Sequence, residues 1–96
     1  MNATETDPNW SSPDSPAAII PANRQRIDDL DGEIIRLIQE RRELSRQIQA
    51  ARLASGGVRV ELNREAQILD TYRDALGQDG VTLASALLRT CRGPLQ

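Results

Sequence analysis

The sequence predicts an all-α protein: three helices per chain, the first very long, paired as an intertwined antiparallel homodimer. Three observations predict it. The 96 residues contain no Phe, one Trp and one Tyr, so a core must come from Leu, Ile, Val and Ala, as in helical bundles. A seam then runs Ile27, Leu30, Ile34, Leu37, Arg41, Leu44, Ile48, Arg52 in steps of three or four, which places these side chains on one helical face. Finally, the periodic stretch from Ala22 to about Ala54 holds no Pro and one Gly, Gly32. At the usual rise it is a helix about 50 Å long. A compact chain of this size measures only about 25–30 Å across. A second copy must cover such a helix.

The elements follow in order. Residues 1–21 carry four of the five prolines among Ser, Asp and Asn, and read as a disordered tail in which Trp10 has no assigned role. Ser55-Gly56-Gly57 stops the long helix, because Gly takes the conformation that helix ends require. Val58–Leu62 is an irregular or extended loop. Asn63 is the expected N-cap of a second helix over about Arg64–Leu76. Gly77-Gln78-Asp79-Gly80 reads as a turn. The third helix, from about Val81 to Arg92, carries Leu83, Ala84, Leu87, Leu88 and Cys91 on its apolar side and ends at Gly93-Pro94. The domain is thus 22–93, with a short tail at 94–96.

Charge narrows the function. All twelve basic residues are Arg, and fourteen acidic residues bring the net charge to -2. That balance argues against a nucleic-acid or membrane surface as partner. With no His, imidazole acid–base chemistry and His metal ligation are excluded. The lone Cys91 cannot form an internal disulfide, the N-terminus lacks the pattern of a secretion signal, and no apolar run is long enough to span a bilayer. A cytoplasmic location is expected.

The sharpest signal is the pair of arginines that interrupts the seam. A guanidinium keeps its proton, so on a covered face it needs an anion, supplied either by the protein or by a ligand. Arg24 continues the seam three residues before Ile27. On the second helix Glu65 shares a face with Ile68, Leu69, Tyr72 and Leu76, and Arg64 lies beside it. Arg92 follows Leu88 by four. The inward set is therefore Arg24, Arg41, Arg52 and Arg92, with Arg64 at the edge, against one clear carboxylate, Glu65. Glu40, Glu43 and Asp29 stand at helical spacing from outward arginines and are expected to pair with them. Arg41 and Arg52 lie about 16 Å apart along the helix and can bracket a small anion. Arg24 is about 25 Å further back, so it reaches that site only from the other chain of an antiparallel dimer. Pairing across the dimer would satisfy any single arginine, but the surplus points to a missing dianion.

These residues carry a resemblance. Ile27-Asp28, Leu30-Asp31 and Glu33-Ile34 are followed by Arg41 and by Ser45 three before Ile48. After them come Ala51-Arg52-Leu53-Ala54-Ser55-Gly56-Gly57, Arg64-Glu65 and Leu87-Leu88-Arg89 with Arg92-Gly93. In this order and spacing, over about residues 22–93, the chain resembles the all-helical chorismate mutases. More narrowly, it is similar to the short branch that associates with an aromatic-pathway (3-deoxy-heptulosonate phosphate) synthase. The resemblance implies conversion of chorismate to prephenate by a pericyclic rearrangement, with no cofactor. It implies that Arg41 and the partner's Arg24 hold the substrate carboxylates, and that Arg52 reaches a carboxylate and the ether oxygen. Glu65 would accept a hydrogen bond from the ring hydroxyl, with Arg64 ordering that corner. Arg92 would be the second ether-oxygen donor, Val60 and Glu61 would line the pocket from the loop, and Leu88 would form an apolar wall. It further implies activation by the synthase.

Three other functions remain open at this point. Glu61 would suit a 4-amino-4-deoxychorismate mutase, and an isochorismate-pyruvate lyase uses a similar cationic pocket. A non-catalytic helical dimer that regulates a partner enzyme would keep the seam and need no inward arginine.

Overall fold

Ser15 and Pro16 start the first helix six residues before the expected Ala22. In the computed structural model, which describes residues 12–57 and 61–93, α1 spans Pro16–Ala54, α2 Leu62–Leu76 and α3 Gln78–Arg92. Ser15 caps α1: its Oγ accepts from the Ala18 N–H at 3.3 Å, and its C=O from the Ile19 N–H at 2.8 Å. Pro16 occupies the first helical position, where a missing N–H costs nothing. Pro21 lies inside the helix and leaves one carbonyl without its usual donor, a loss felt least near the start. Residues 16–21, expected in a tail, are thus helical. The expectations for residues 1–11, with Trp10, for most of the loop (58–60) and for the tail 94–96 lie outside the described residues.

Two further boundaries move. α2 begins at Leu62, not at Arg64, and its N-cap position is Glu61 in an extended conformation rather than Asn63. The Glu61 carboxylate makes no cap, because it is engaged by an arginine described below; its C=O still receives the Glu65 N–H at 3.1 Å. α3 begins at Gln78, so the predicted four-residue turn contracts to Gly77 alone. Gly77 has φ 75°, a left-handed conformation, and its N–H closes on the Arg73 C=O at 2.8 Å. The chain therefore reverses on one residue. α1 ends where Gly57 N–H reaches the Arg52 C=O at 2.6 Å, with Gly56 at φ 80°.

Compactness divides the chain after Ile35. The first unit carries the early part of α1, in which Ile27, Leu30 and Ile34 are solvent-facing. The second unit, from Arg36 on, holds the rest of α1 with α2 and α3. Its buried residues are Gly80, Ala84 and Cys91, all on α3 and all small. Helices α2 and α3 pack directly on one another. They are in backbone contact at Gly80, where an added Cβ would lie 2.2 Å from the Tyr72 carbonyl oxygen. No residue of α1 is buried in the single chain, and the seam residues Ile27, Leu30, Ile34, Leu37, Leu44 and Ile48 are 37–55% exposed.

Gly80→Ala tests the close approach. Ala is the better helix former by about 1 kcal/mol, yet the clash is with backbone and must push α2 and α3 apart. Net destabilisation of about 1–3 kcal/mol is expected, read as a lower thermal midpoint at fixed protein concentration. A raised midpoint would show that the helices are not in backbone contact there.

Candidate functional site

Six turns of helix supply the walls of one open cleft of about 250 Å³ in the second unit. From α1 come Arg41, Leu44, Ser45, Ile48, Gln49 and Arg52. Their spacing of three and four follows from the helical repeat, so the same pattern that made the seam also aims these groups. Glu61, Arg64, Glu65 and Ile68 come from the start of α2, and Leu88, Cys91 and Arg92 from the end of α3. The start of α2 and the last turn of α3 meet because the two helices reverse on Gly77 and run side by side.

Two ion pairs organise the charges. Arg52 Nη2 donates to the Glu61 carboxylate at 2.6 Å, joining the end of α1 to the residue that precedes α2. Arg92 Nη1 donates to the Glu65 carboxylate, joining α3 to α2. The second pair is the better covered: 19% and 25% of the side chains are exposed, against 33% and 54% for Arg52 and Glu61. Arg41 is half-buried, while Arg64 stands exposed at the rim. Gln49 Nε2 donates to the Arg92 carbonyl oxygen at 3.3 Å, a third link across the cleft.

The cleft gathers seven of the nine residues expected there: Arg41, Arg52, Glu61, Arg64, Glu65, Leu88 and Arg92. Arg24 is exposed and belongs to the first unit. Val60 lies outside the described residues. The expected inventory of one clear carboxylate is corrected by Glu61, which adds a second. Four arginines against two carboxylates still leave a surplus of two positive charges. The sequence reading gave no site role to Ser45, Gln49, Ile68 or Cys91. Gln49 was discoverable, since it stands three residues before Arg52 and eight after Arg41, but an amide breaks no apolar pattern. The outward pairs behave as spacing predicts, Arg36 with Glu40 at 3.4 Å and Arg46 with Glu43 at 3.9 Å. Both are exposed and contribute little to stability. Asp29 accepts from Gln25 instead of an arginine.

Among the described residues no group of three His, Cys, Asp or Glu side chains could hold a metal ion. Nor is any described helix long and apolar enough to cross a membrane. The arrangement offers guanidinium donors around a small open volume, with two carboxylates at the start of α2.

The fold and the site together are those of a small all-helical protein with a cleft of net positive charge. Residues 23–90 match the family Chorismate mutase type II, and the chain belongs to that family. The intracellular chorismate mutase of Mycolicibacterium smegmatis is 50% identical over 72 residues, which cover 75% of this chain and 69% of that protein. That of Mycobacterium tuberculosis is 45% identical over 80 residues, covering 83% and 75%. Among solved structures, a chain in the non-covalent complex of DAHP synthase and chorismate mutase from Corynebacterium glutamicum, with bound transition-state analogue, is similar. Its TM-score is 0.78 at 38% identity, covering 83% of this chain and 96% of that one.

The two ion pairs should differ in stability. Arg92→Met strands a half-buried carboxylate and is expected to cost about 1–3 kcal/mol in urea denaturation. Arg52→Met strands an exposed one and should cost less than about 1 kcal/mol. The reverse ranking would contradict the burial order.

Proposed function

We propose that the chain is a chorismate mutase whose two shared active sites are completed by dimerisation. One observation carries the reading: the surplus of two positive charges around the cleft, which matches a substrate with two carboxylates. Arg41 and the partner's Arg24 hold those carboxylates and compress the substrate into the chair-like geometry that the rearrangement needs. As the C–O bond lengthens, negative charge gathers on the ether oxygen. Arg52 and Arg92 are aimed there, and they stabilise that charge more than they stabilise the ground state. A guanidinium offers five donors, so Arg52 can keep Glu61 while it meets the substrate. Glu65 accepts from the ring hydroxyl while it holds Arg92, Arg64 closes that corner at the rim, and Leu88 supplies the apolar wall. Val60 completes the loop side. No proton leaves or enters the reacting atoms, so a chain without His loses nothing.

The dimer rests on the exposed seam. Apolar side chains at helical spacing along α1 are left uncovered by the other described residues, and a second antiparallel α1 both covers them and brings Arg24 to the far half of this helix. The cytoplasm is the compartment proposed, in keeping with the intracellular relatives. An aromatic-pathway synthase is proposed as partner, because the C. glutamicum neighbour is found in a complex with DAHP synthase. Glu61 was the reason to consider a 4-amino substrate. Its pairing with Arg52 offsets part of its charge, which favours the hydroxyl substrate over an ammonium group.

Arg52→Ala should lower kcat for chorismate consumption by about 10²- to 10³-fold, the effect of losing one preorganised oxyanion donor. A mixture of inactive Arg24→Ala and Arg52→Ala proteins, unfolded and refolded together, should regain about a quarter of wild-type activity, since half the dimers then hold one intact site. No regain would mean that Arg24 does not act across the dimer. Adding the synthase at saturation should raise mutase activity, and an unchanged rate would remove the synthase from the reading.

A further inference from the structure

Arg92 is held from two sides. Its guanidinium is tied to α2 through Glu65, and its carbonyl oxygen accepts the Gln49 Nε2–H of α1 at 3.3 Å across 43 residues of sequence. The second tie has a clear physical purpose. The last carbonyls of a helix have no partner within it, and the final turn frays unless something caps it. Gly93, at φ 76°, turns its N–H back to the Arg89 C=O at 3.0 Å, which satisfies one of these carbonyls. The Arg92 carbonyl is satisfied from α1. Gln49 also faces the cleft, half-buried, between Ser45 and Arg52 on the same helical face. We propose that Gln49 is a positioning residue for the known reaction: a tertiary cap that pins the last turn of α3 to α1 and so fixes where the Arg92 guanidinium enters the cleft.

The consequence is specific. α1 carries Arg41 and Arg52, α3 carries Arg92, and the two donors proposed for the ether oxygen stand on different helices. Their mutual distance is set by whatever holds α3's end against α1. The Arg52–Glu61 pair ties α1 to the start of α2, and Gln49 ties it to the end of α3. Without Gln49 the last turn keeps its link to α2 but loses its register to Arg52. The cost should fall on the transition state, where both donors must meet one oxygen, more than on substrate binding.

This inference rests on the reading of Arg92 as an ether-oxygen donor, and a double-mutant cycle separates the two. Gln49→Leu and Gln49→Ala remove the donor without burdening the helix, and circular dichroism checks their fold. Each should lower kcat about three- to tenfold with KM unchanged, the value of one hydrogen bond. In an Arg92→Ala background the same change should leave kcat where it was, because Gln49 acts through Arg92. If Arg92→Ala itself costs no activity, the role of Arg92 is wrong. If Arg92→Ala is damaging but the loss from Gln49→Leu is as large in that background as in the wild type, Gln49 acts on substrate directly and the positioning role is overturned. A lower melting midpoint with unchanged kcat would overturn it too, leaving a purely structural contact.

Discussion

A guanidinium does not give up its proton at any working pH, and four of them line this cleft. They have to be met by anions, and the fold supplies only part of what is needed. Glu65 meets Arg92 and Glu61 meets Arg52. Both carboxylates arrive from the first turn of α2 or the residue before it, which makes the placement of α2 the decisive step in building the site. An all-apolar cleft would pack more easily, and a cleft with equal numbers of acids and arginines would be self-satisfied. Neither would have reason to attract a dicarboxylate. Two unmatched positive charges leave the site electrostatically incomplete, and on the proposed reading a dianion completes it.

The placement of α2 depends in turn on small residues. Gly77 reverses the chain without a loop, and Gly80 lets α3 lie against the α2 backbone. Ala84 and Cys91 continue the same buried side of α3. This stiff hairpin sets the end of α3 beside the start of α2, and Glu65 and Arg92 meet as a result. The link to α1 is of a different kind. It consists of long polar side chains, Arg52 and Gln49, reaching across open space rather than backbones in contact. Separation of that sort makes room for a ligand, and it also makes the geometry depend on individual hydrogen bonds.

Much of this was legible in the sequence, for physical reasons that differ by element. The seam of α1 was readable because a period of three and four is imposed on every long amphipathic helix, and an arginine stands out on an apolar face. Glu65 was readable by the same geometry on α2. The start of α1 was missed because four prolines look like a tail, although Pro16 sits at a first-turn position and Ser15 is a good cap. The reversal at Gly77 was read as a longer turn because two glycines bracket it, when only one takes a left-handed conformation and the other serves close packing. Glu61 was seen as a pocket residue, but its pairing with Arg52 is a contact that no spacing rule gives. Gln49 left only its spacing to Arg41 and Arg52 as a signal, since a glutamine on a helix face is ordinarily solvated.

The exposed seam and the unmatched charge are best understood together. α1 has no buried residue in the single chain, and Leu37, Leu44 and Ile48 are about half exposed. On the dimeric reading, one operation acts on both: the partner's α1 covers the seam, and its Arg24, on the same helical phase, adds to the positive charge that a bound dianion meets. Covering the seam also lowers the local dielectric around the arginines, which strengthens their hold on an anion and makes their positions matter more. On that reading, folding and catalysis cannot be separated. The face that makes the single chain incomplete is the face that, once paired, lets a surplus of guanidinium work on a substrate rather than on water.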